Sequence, residues 1–162
     1  RPEEYGHVMA VNAFTKVYAM AGLRFGYALC TDQMILERME CCRQPWSVSA
    51  PAEAAALAAV REAAVNGGWI DRTVAAVERE RQFLADGLER MGFTVFPSMV
   101  NYILFKSGNC FDYKEFCRDR GILIRSCENF DGLDKRYYRV SVRLHEENKA
   151  LLECMKAAGG KG

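Results

Sequence analysis

The side chains through which this sequence could do chemistry are Lys16, Arg24, Arg125, Arg139 and Arg143. Lys16 stands where a short β-favouring run passes into a turn of small residues (Ala19, Ala21, Gly22), with Arg24 following in the next strand. A lysine by itself is ordinarily a solvated surface charge, and only its surroundings can make it a catalyst. In Tyr137-Tyr138-Arg139-Val140-Ser141-Val142-Arg143 the period of a strand puts Tyr138, Val140 and Val142 on one apolar face and Tyr137, Arg139, Ser141 and Arg143 on the other. Two arginines on one strand face attract anions, but taken without Lys16 a solvent-facing strand paired with acids such as Glu128 or Asp131 is the better account of them. The seven cysteines are odd in number and lack the spacing of zinc or thioredoxin sites, so they read as reduced, partly buried thiols and not as a disulfide framework. His7 and His145 are too far apart to suggest a metal site. His145-Glu146-Glu147-Asn148 has no second zinc-binding His, and its acids suit the first turn of a helix.

Positioning these groups falls to a run of alternating elements. Residues 8–12 and 23–29 read as strand, turn and strand. Thr31 or Asp32 caps a helix to about Arg43, and residues 52–65 form an alanine-rich helix stopped by Asn66-Gly67-Gly68. Ile70, Val74, Val77, Leu84, Leu88 and Met91 recur at steps of four and three, with Arg81 in the one polar slot, which predicts a long amphipathic helix ended by Gly92. Its intervening Glu78, Arg79, Glu80 and Arg81 read as a solvated face. Strands follow at 93–96 and 101–105, around a Pro97-Ser98 turn in which Asn101 bonds the backbone. A helix at 112–120, strands at 122–125 and 137–143, a helix at 145–158 and a fraying glycine-rich tail complete the chain. This alternation argues for α/β or α+β layers.

Composition narrows the function classes. In 162 residues, 22 Lys+Arg stand against 21 Asp+Glu, and half of the residues are hydrophobic, which excludes collagen, disorder and a membrane-spanning chain. A net charge of +1 leaves no bulk field for nucleic acid or an anionic membrane, and no local basic cluster supplies one. Arg1, Glu3, Glu4 and Tyr5 do not make a signal peptide, so a cytoplasmic location is expected.

The string Ala13-Phe14-Thr15-Lys16-Val17-Tyr18-Ala19-Met20-Ala21-Gly22-Leu23-Arg24-Phe25-Gly26 resembles the lysine signature of fold-type I pyridoxal-phosphate enzymes, the aspartate aminotransferase superfamily. The resemblance implies an α/β fold, matched over the later portion of a family member. Residues 1–75 would be the remainder of the large cofactor domain and residues 76–162 a small α+β domain. The phosphate-binding turn, the ring-stacking aromatic and the acid that pairs with the pyridine nitrogen would lie outside the matched portion. It implies pyridoxal 5′-phosphate as cofactor, with Lys16 as the Schiff-base residue and later proton carrier, Arg24 as a ligand of the cofactor phosphate, and the Thr15 hydroxyl as a helper. Ala13 departs from the pattern, since many members have Ser or Thr there.

By the same resemblance Arg139 matches the arginine that grips the substrate α-carboxylate. Arg125, joined by Arg143, matches one that binds a substrate phosphate. The segment from Arg125 through Asn129 to Leu133, with its strand and the following His145-Glu146-Glu147-Asn148, is most similar to threonine-phosphate decarboxylase, although Ser126 stands where relatives commonly carry Asp. The implied reaction is decarboxylation of L-threonine O-3-phosphate to aminopropanol phosphate in cobalamin biosynthesis, by a homodimer. A histidinol-phosphate or other class I/II aminotransferase is the alternative. A further alternative is that this chain alone is a non-catalytic folding and dimerisation module.

Overall fold

A computed structural model describes residues 4, 8–65 and 68–159. His7, the Asn66-Gly67 part of the expected helix stop and the tail from residue 160 lie outside the described residues. The chain divides into two units, Arg1–Asp71 and Arg72–Gly162.

In the first unit, β1 (Met9–Ala13) pairs antiparallel with β2 (Gly26–Cys30), in a register that runs from Met9 opposite Cys30 to Ala13 opposite Gly26. Phe14 N donates to Phe25 O at 3.1 Å and closes the mouth of the loop between them. α1 (Gln33–Cys42) begins at Asp32, whose carboxylate accepts from the N–H groups of Met34 and Ile35 and so satisfies two otherwise orphaned donors. α2 spans Ala50–Val65. Gly68, expected to help stop it, is instead the first residue of α3 (Gly68–Arg90).

The second unit is built on a four-stranded antiparallel sheet in the order β3 (Thr94–Val95), β4 (Tyr102–Lys106), β6 (Tyr137–Ser141) and β5 (Arg125–Ser126). α3, α4 (Tyr113–Arg118) and α5 (His145–Ala157) contribute Leu84, Leu88, Cys117, Leu151 and Met155 to one core with Phe93, Ile103, Phe105, Tyr138 and Val140. Gly92 ends α3 with φ 88°, and Gly121 ends the turn after α4 with φ 76°, a region that side chains with a Cβ avoid. Ile122 N donates back to Cys117 O at 2.9 Å, so the chain spends residues 122–124 leaving the helix and burying Ile124. The strand expected at 122–125 therefore forms only at Arg125–Ser126.

Phe105 is fully buried, with its ring against Phe93 and Tyr138. Phe105→Ala is expected to destabilise this unit by about 3–5 kcal/mol, read as a lower midpoint in thermal or urea unfolding. An unchanged midpoint would contradict the core just described.

Two residues of the expected solvated face of α3 are not solvated. The side chains of Glu80 and Arg81 are 13% and 15% exposed. Arg81 lies along the surface, donating to Val100 O at 3.3 Å. Glu80 Oε2 accepts from the Nδ2 of buried Asn148 at 3.1 Å and lies 3.1 Å from His145 Nδ1, and Asn148 also bonds the backbone N and O of Arg143. A helical period marks Glu80 as polar but does not show that a buried amide waits opposite it.

The Asn148 bond, then the His145 bond and charge, hold the Glu80 carboxyl below its ordinary value, and Arg136 pulls Asp134 from 3.8 to about 2. Both groups bind protons more tightly when unfolded, so each stabilises the fold above its ordinary value and loses that contribution as pH falls through the folded value. The thermal midpoint is expected to be flat between pH ~5 and ~7 and to fall between pH ~4.5 and ~2. Glu80→Gln should flatten the upper part of that slope; an identical slope in the variant would count against the Glu80 assignment.

Candidate active site

The loop between β1 and β2 carries Lys16, Thr15 and Arg24. Residues 14–18 make one helical turn, with Tyr18 N donating to Phe14 O and Ala19 N to Lys16 O, each at 3.2 Å. A 3-10 turn, Ala21–Leu23, follows. Because Phe14 and Phe25 are bonded to each other, Thr15 and Arg24 flank the same mouth, and Lys16 is one residue further in.

Arg24 is not the strand residue that the sequence pattern predicts. It caps the 3-10 turn in the left-handed region at φ 53°, ψ 49°, and β2 starts only at Gly26. Left-handed backbone costs a residue with a Cβ of order 1 kcal/mol, and Ala19 in the same loop has φ 54° as well. The Arg24 guanidinium donates Nη1 to Ala21 O at 3.1 Å and meets no carboxylate within 4.0 Å among the described residues. Its remaining donors can serve an anion. Lys16 is exposed and pairs with no acid among the described residues.

This donor set fits pyridoxal 5′-phosphate: a primary amine for an aldehyde, a planar fork of donors for a phosphate and a hydroxyl beside them. A cavity of about 920 Å³ opens beside the loop, walled by Phe14, Val17, Tyr18, Phe25, Leu57 and Val60. Neither Lys16 nor Arg24 lines it, and its one charged wall residue, Glu53, would repel an anion. Its lining is not that of a site for an anionic cofactor.

The second group lies on the sheet of the other unit. Arg125 and Arg139 are directly opposite each other across the β5–β6 pair, so their side chains leave the same face of the sheet. The expected alternation along β6 holds, with Tyr138 and Val140 buried and Arg139 and Ser141 exposed. Like charges in this position repel and call for compensation, yet no carboxylate stands within 4.0 Å of either arginine among the described residues. For Arg139, the pairing with an acid such as Glu128 or Asp131 that would explain it as a plain surface residue is not formed.

Their partners are neutral. Arg125 Nη2 donates to Asn129 Oδ1 at 2.9 Å, and the Arg139 guanidinium lies over the Tyr102 ring at 4.7 Å. Cys127, buried nearby, has its thiol pushed up by burial while the charges of Arg139 and Arg125 pull the other way. Arg143 differs. It lies beyond the end of β6, and Glu147 Oε1 takes both its Nη2 (2.7 Å) and its Nε (3.2 Å), which holds the Glu147 carboxyl below its ordinary value. Arg136 is likewise neutralised by Asp134 at 2.6 Å.

Nothing in the sequence marks Tyr102, a residue of the expected 101–105 strand, or Asn129, inside the Arg125–Leu133 segment, as a partner of these arginines. The Pro97-Ser98 turn works through Ser98, whose hydroxyl donates to Tyr102 O at 2.6 Å, while Asn101 supplies its backbone carbonyl to Val142 N. What could have singled out Tyr102 is its place in a strand whose alternation matches that of the arginine strand.

The profile of the aminotransferase class I and II family matches residues 2–154. The chain belongs to that family. Class I and II aminotransferases depend on pyridoxal 5′-phosphate, the cofactor that the lysine loop fits. The chain is 34% identical to threonine-phosphate decarboxylase of Salmonella typhimurium over 93% of its own length and 41% of the relative's. It is 32% identical to histidinol-phosphate aminotransferase of Symbiobacterium thermophilum over 99% of its length and 43% of the relative's. Among solved structures, L-threonine-O-3-phosphate decarboxylase from Porphyromonas gingivalis superposes with a TM-score of 0.81 at 26% identity, over 97% of this chain and 49% of that one. The chain thus spans less than half the length of the curated relatives it matches. The fold is the expected one, that of the later portion of a fold-type I class I/II aminotransferase. No helix among the described residues is long and apolar enough to cross a membrane.

Proposed function

We propose that this chain is the later part of a pyridoxal-phosphate enzyme that decarboxylates L-threonine O-3-phosphate to aminopropanol phosphate, a step in making cobalamin. Residues 1–75 are read as the remainder of the large domain and residues 76–162 as the small domain. The observation that carries the reading is the pair Arg125 and Arg139, opposite each other and without an acid. A phosphorylated amino acid brings two anions only a few bonds apart, which suits two arginines that share one sheet face.

Pyridoxal 5′-phosphate, when bound, supplies a sink for the electron pair released at the substrate α-carbon. Lys16 Nζ holds the cofactor until the substrate amine displaces it, and is then free to carry a proton. Arg24, with Thr15, binds the cofactor phosphate. Arg139 grips the substrate carboxylate and fixes which bond at the α-carbon breaks; as CO2 departs, the carboxylate charge is gone and that grip is released. The Lys16 ammonium would then deliver a proton to the α-carbon as the electron pair returns to it from the sink. Arg125 holds the phosphate throughout. Arg143 would have to exchange Glu147 for substrate, so its contribution is secondary.

A histidinol-phosphate aminotransferase is the second reading, supported by relatives of that name at similar identity. Histidinol phosphate has no carboxylate, so there Arg139 would serve only the amino-acid partner. Product analysis of the full-length protein separates the two. Release of CO2 from threonine O-phosphate with no need for a keto acid supports decarboxylation, and transfer of the amine to 2-oxoglutarate sinks it. A soluble cytoplasmic homodimer completes the proposal. If this chain by itself is only a folding and dimerisation module, then adding pyridoxal 5′-phosphate followed by borohydride should leave Lys16 unlabelled in it, and labelled in the full-length protein.

A further inference from the structure

The arginines of β5, β6 and the residues that flank them fall into two classes. Arg136 and Arg143 are each neutralised by a carboxylate, Asp134 and Glu147, at 2.6 and 2.7 Å. Arg125 is also held by a hydrogen bond, at 2.9 Å, but to the amide oxygen of Asn129. That choice is not forced by a lack of acids, since Glu128 and Asp131 flank Asn129 in the same turn. The turn is folded by its own backbone, with Phe130 N donating to Cys127 O at 3.1 Å and Leu133 N to Phe130 O at 3.0 Å. It brings the one neutral side chain of the trio to the guanidinium and leaves both acids more than 4.0 Å away. An amide oxygen fixes one edge of a guanidinium without supplying a countercharge, so the remaining N–H groups keep the full positive charge for a ligand.

We infer that Asn129 is a positioning residue that sets the selectivity of Arg125 for a phosphate dianion: it holds the guanidinium in place while keeping it unneutralised. The inference rests on the proposed reading of Arg125 as the phosphate ligand. A carboxylate in its place would have nearly the same shape and the same bond, but an incoming phosphate would then have to share the guanidinium with a resident anion.

The test uses the full-length holoenzyme with threonine O-phosphate as substrate and unphosphorylated L-threonine as a competitive inhibitor, which calls on Arg139 but not on Arg125. Asn129→Asp is expected to raise KM for the phosphorylated substrate roughly tenfold to a hundredfold, with kcat within about twofold and the L-threonine inhibition constant unchanged. Asn129→Ala, which loses the hydrogen bond without adding a charge, should fall between wild type and Asn129→Asp. A purely structural role would move all three constants together, and that result overturns the inference, as does Asn129→Asp behaving no worse than Asn129→Ala. Should Asn129→Asp fail to fold, Asn129→Ala decides alone: a severalfold rise in KM with an unchanged L-threonine constant supports the inference, and an unchanged KM overturns it. Arg125→Ala separates the two levels. If it raises KM for the phosphate while neither Asn129 variant does, the inference falls and the reading of Arg125 stands; if it leaves that KM unchanged, both fall.

Discussion

Lys16→Ala is expected to abolish turnover in the full-length protein, with a loss on the order of ten-thousand-fold or more, while leaving thermal stability within about 1 °C of wild type. The two halves of that expectation have separate causes. Lys16 is exposed and pairs with no acid among the described residues, so its removal opens no cavity and orphans no partner. Its amine is the one group on the loop that can bond an aldehyde carbon and then carry a proton to the substrate, so nothing nearby replaces it. Lys16→Arg sharpens the test. Arginine preserves the charge and much of the length but stays protonated and is not a nucleophile. A solvated surface lysine would tolerate the exchange, whereas the proposed role predicts the same loss as with alanine. Activity of Lys16→Arg within tenfold of wild type would remove Lys16 from the mechanism.

Signals confined to a few neighbouring residues are legible in the sequence. Asp32 as a helix cap, Gly92 as a helix stop, and the alternation of β6 each depend on local backbone geometry, and each is found. The lysine loop was legible as a string because its residue types are specific. What the string did not reveal is the backbone under Arg24: arginine gives no hint of a left-handed conformation, and the strand pattern of Leu23 and Phe25 ran straight through it. Long-range partnerships were hidden for a different reason. Glu80 meets Asn148 from sixty-eight residues away, and Arg139 meets Tyr102 across the ladder, so charge and period alone make Glu80 a surface residue and leave Tyr102 one strand residue among others. Arg143 shows the opposite error. On the strand pattern it is equivalent to Arg139, but the strand ends at Ser141 and the first turn of α5 brings Glu147 onto it.

That distinction leads to the second large effect. Arg139→Ala is expected to cost about 2–5 kcal/mol of substrate binding in the full-length enzyme, a drop in kcat/KM of roughly thirty- to several-thousand-fold, because a bidentate charged grip on the carboxylate is lost. Unlike the Asn129 variants, it should also weaken inhibition by unphosphorylated L-threonine, since the carboxylate is common to both ligands. Arg139→Lys keeps the charge but not the fork and should recover only part of the loss. Stability should move little. Removing Arg139 relieves the like-charge pair with Arg125, by about 0.2–1 kcal/mol, and gives up the stacking on Tyr102, by about 0.5–1 kcal/mol. These offset, so the thermal midpoint is expected within ~3 °C of wild type. Arg143→Ala, by contrast, breaks an ion pair that already balances its charge, and should change kcat/KM less than tenfold. If Arg143→Ala proves as damaging as Arg139→Ala, the division of these arginines by the charge of their partners is wrong, and substrate does displace Glu147.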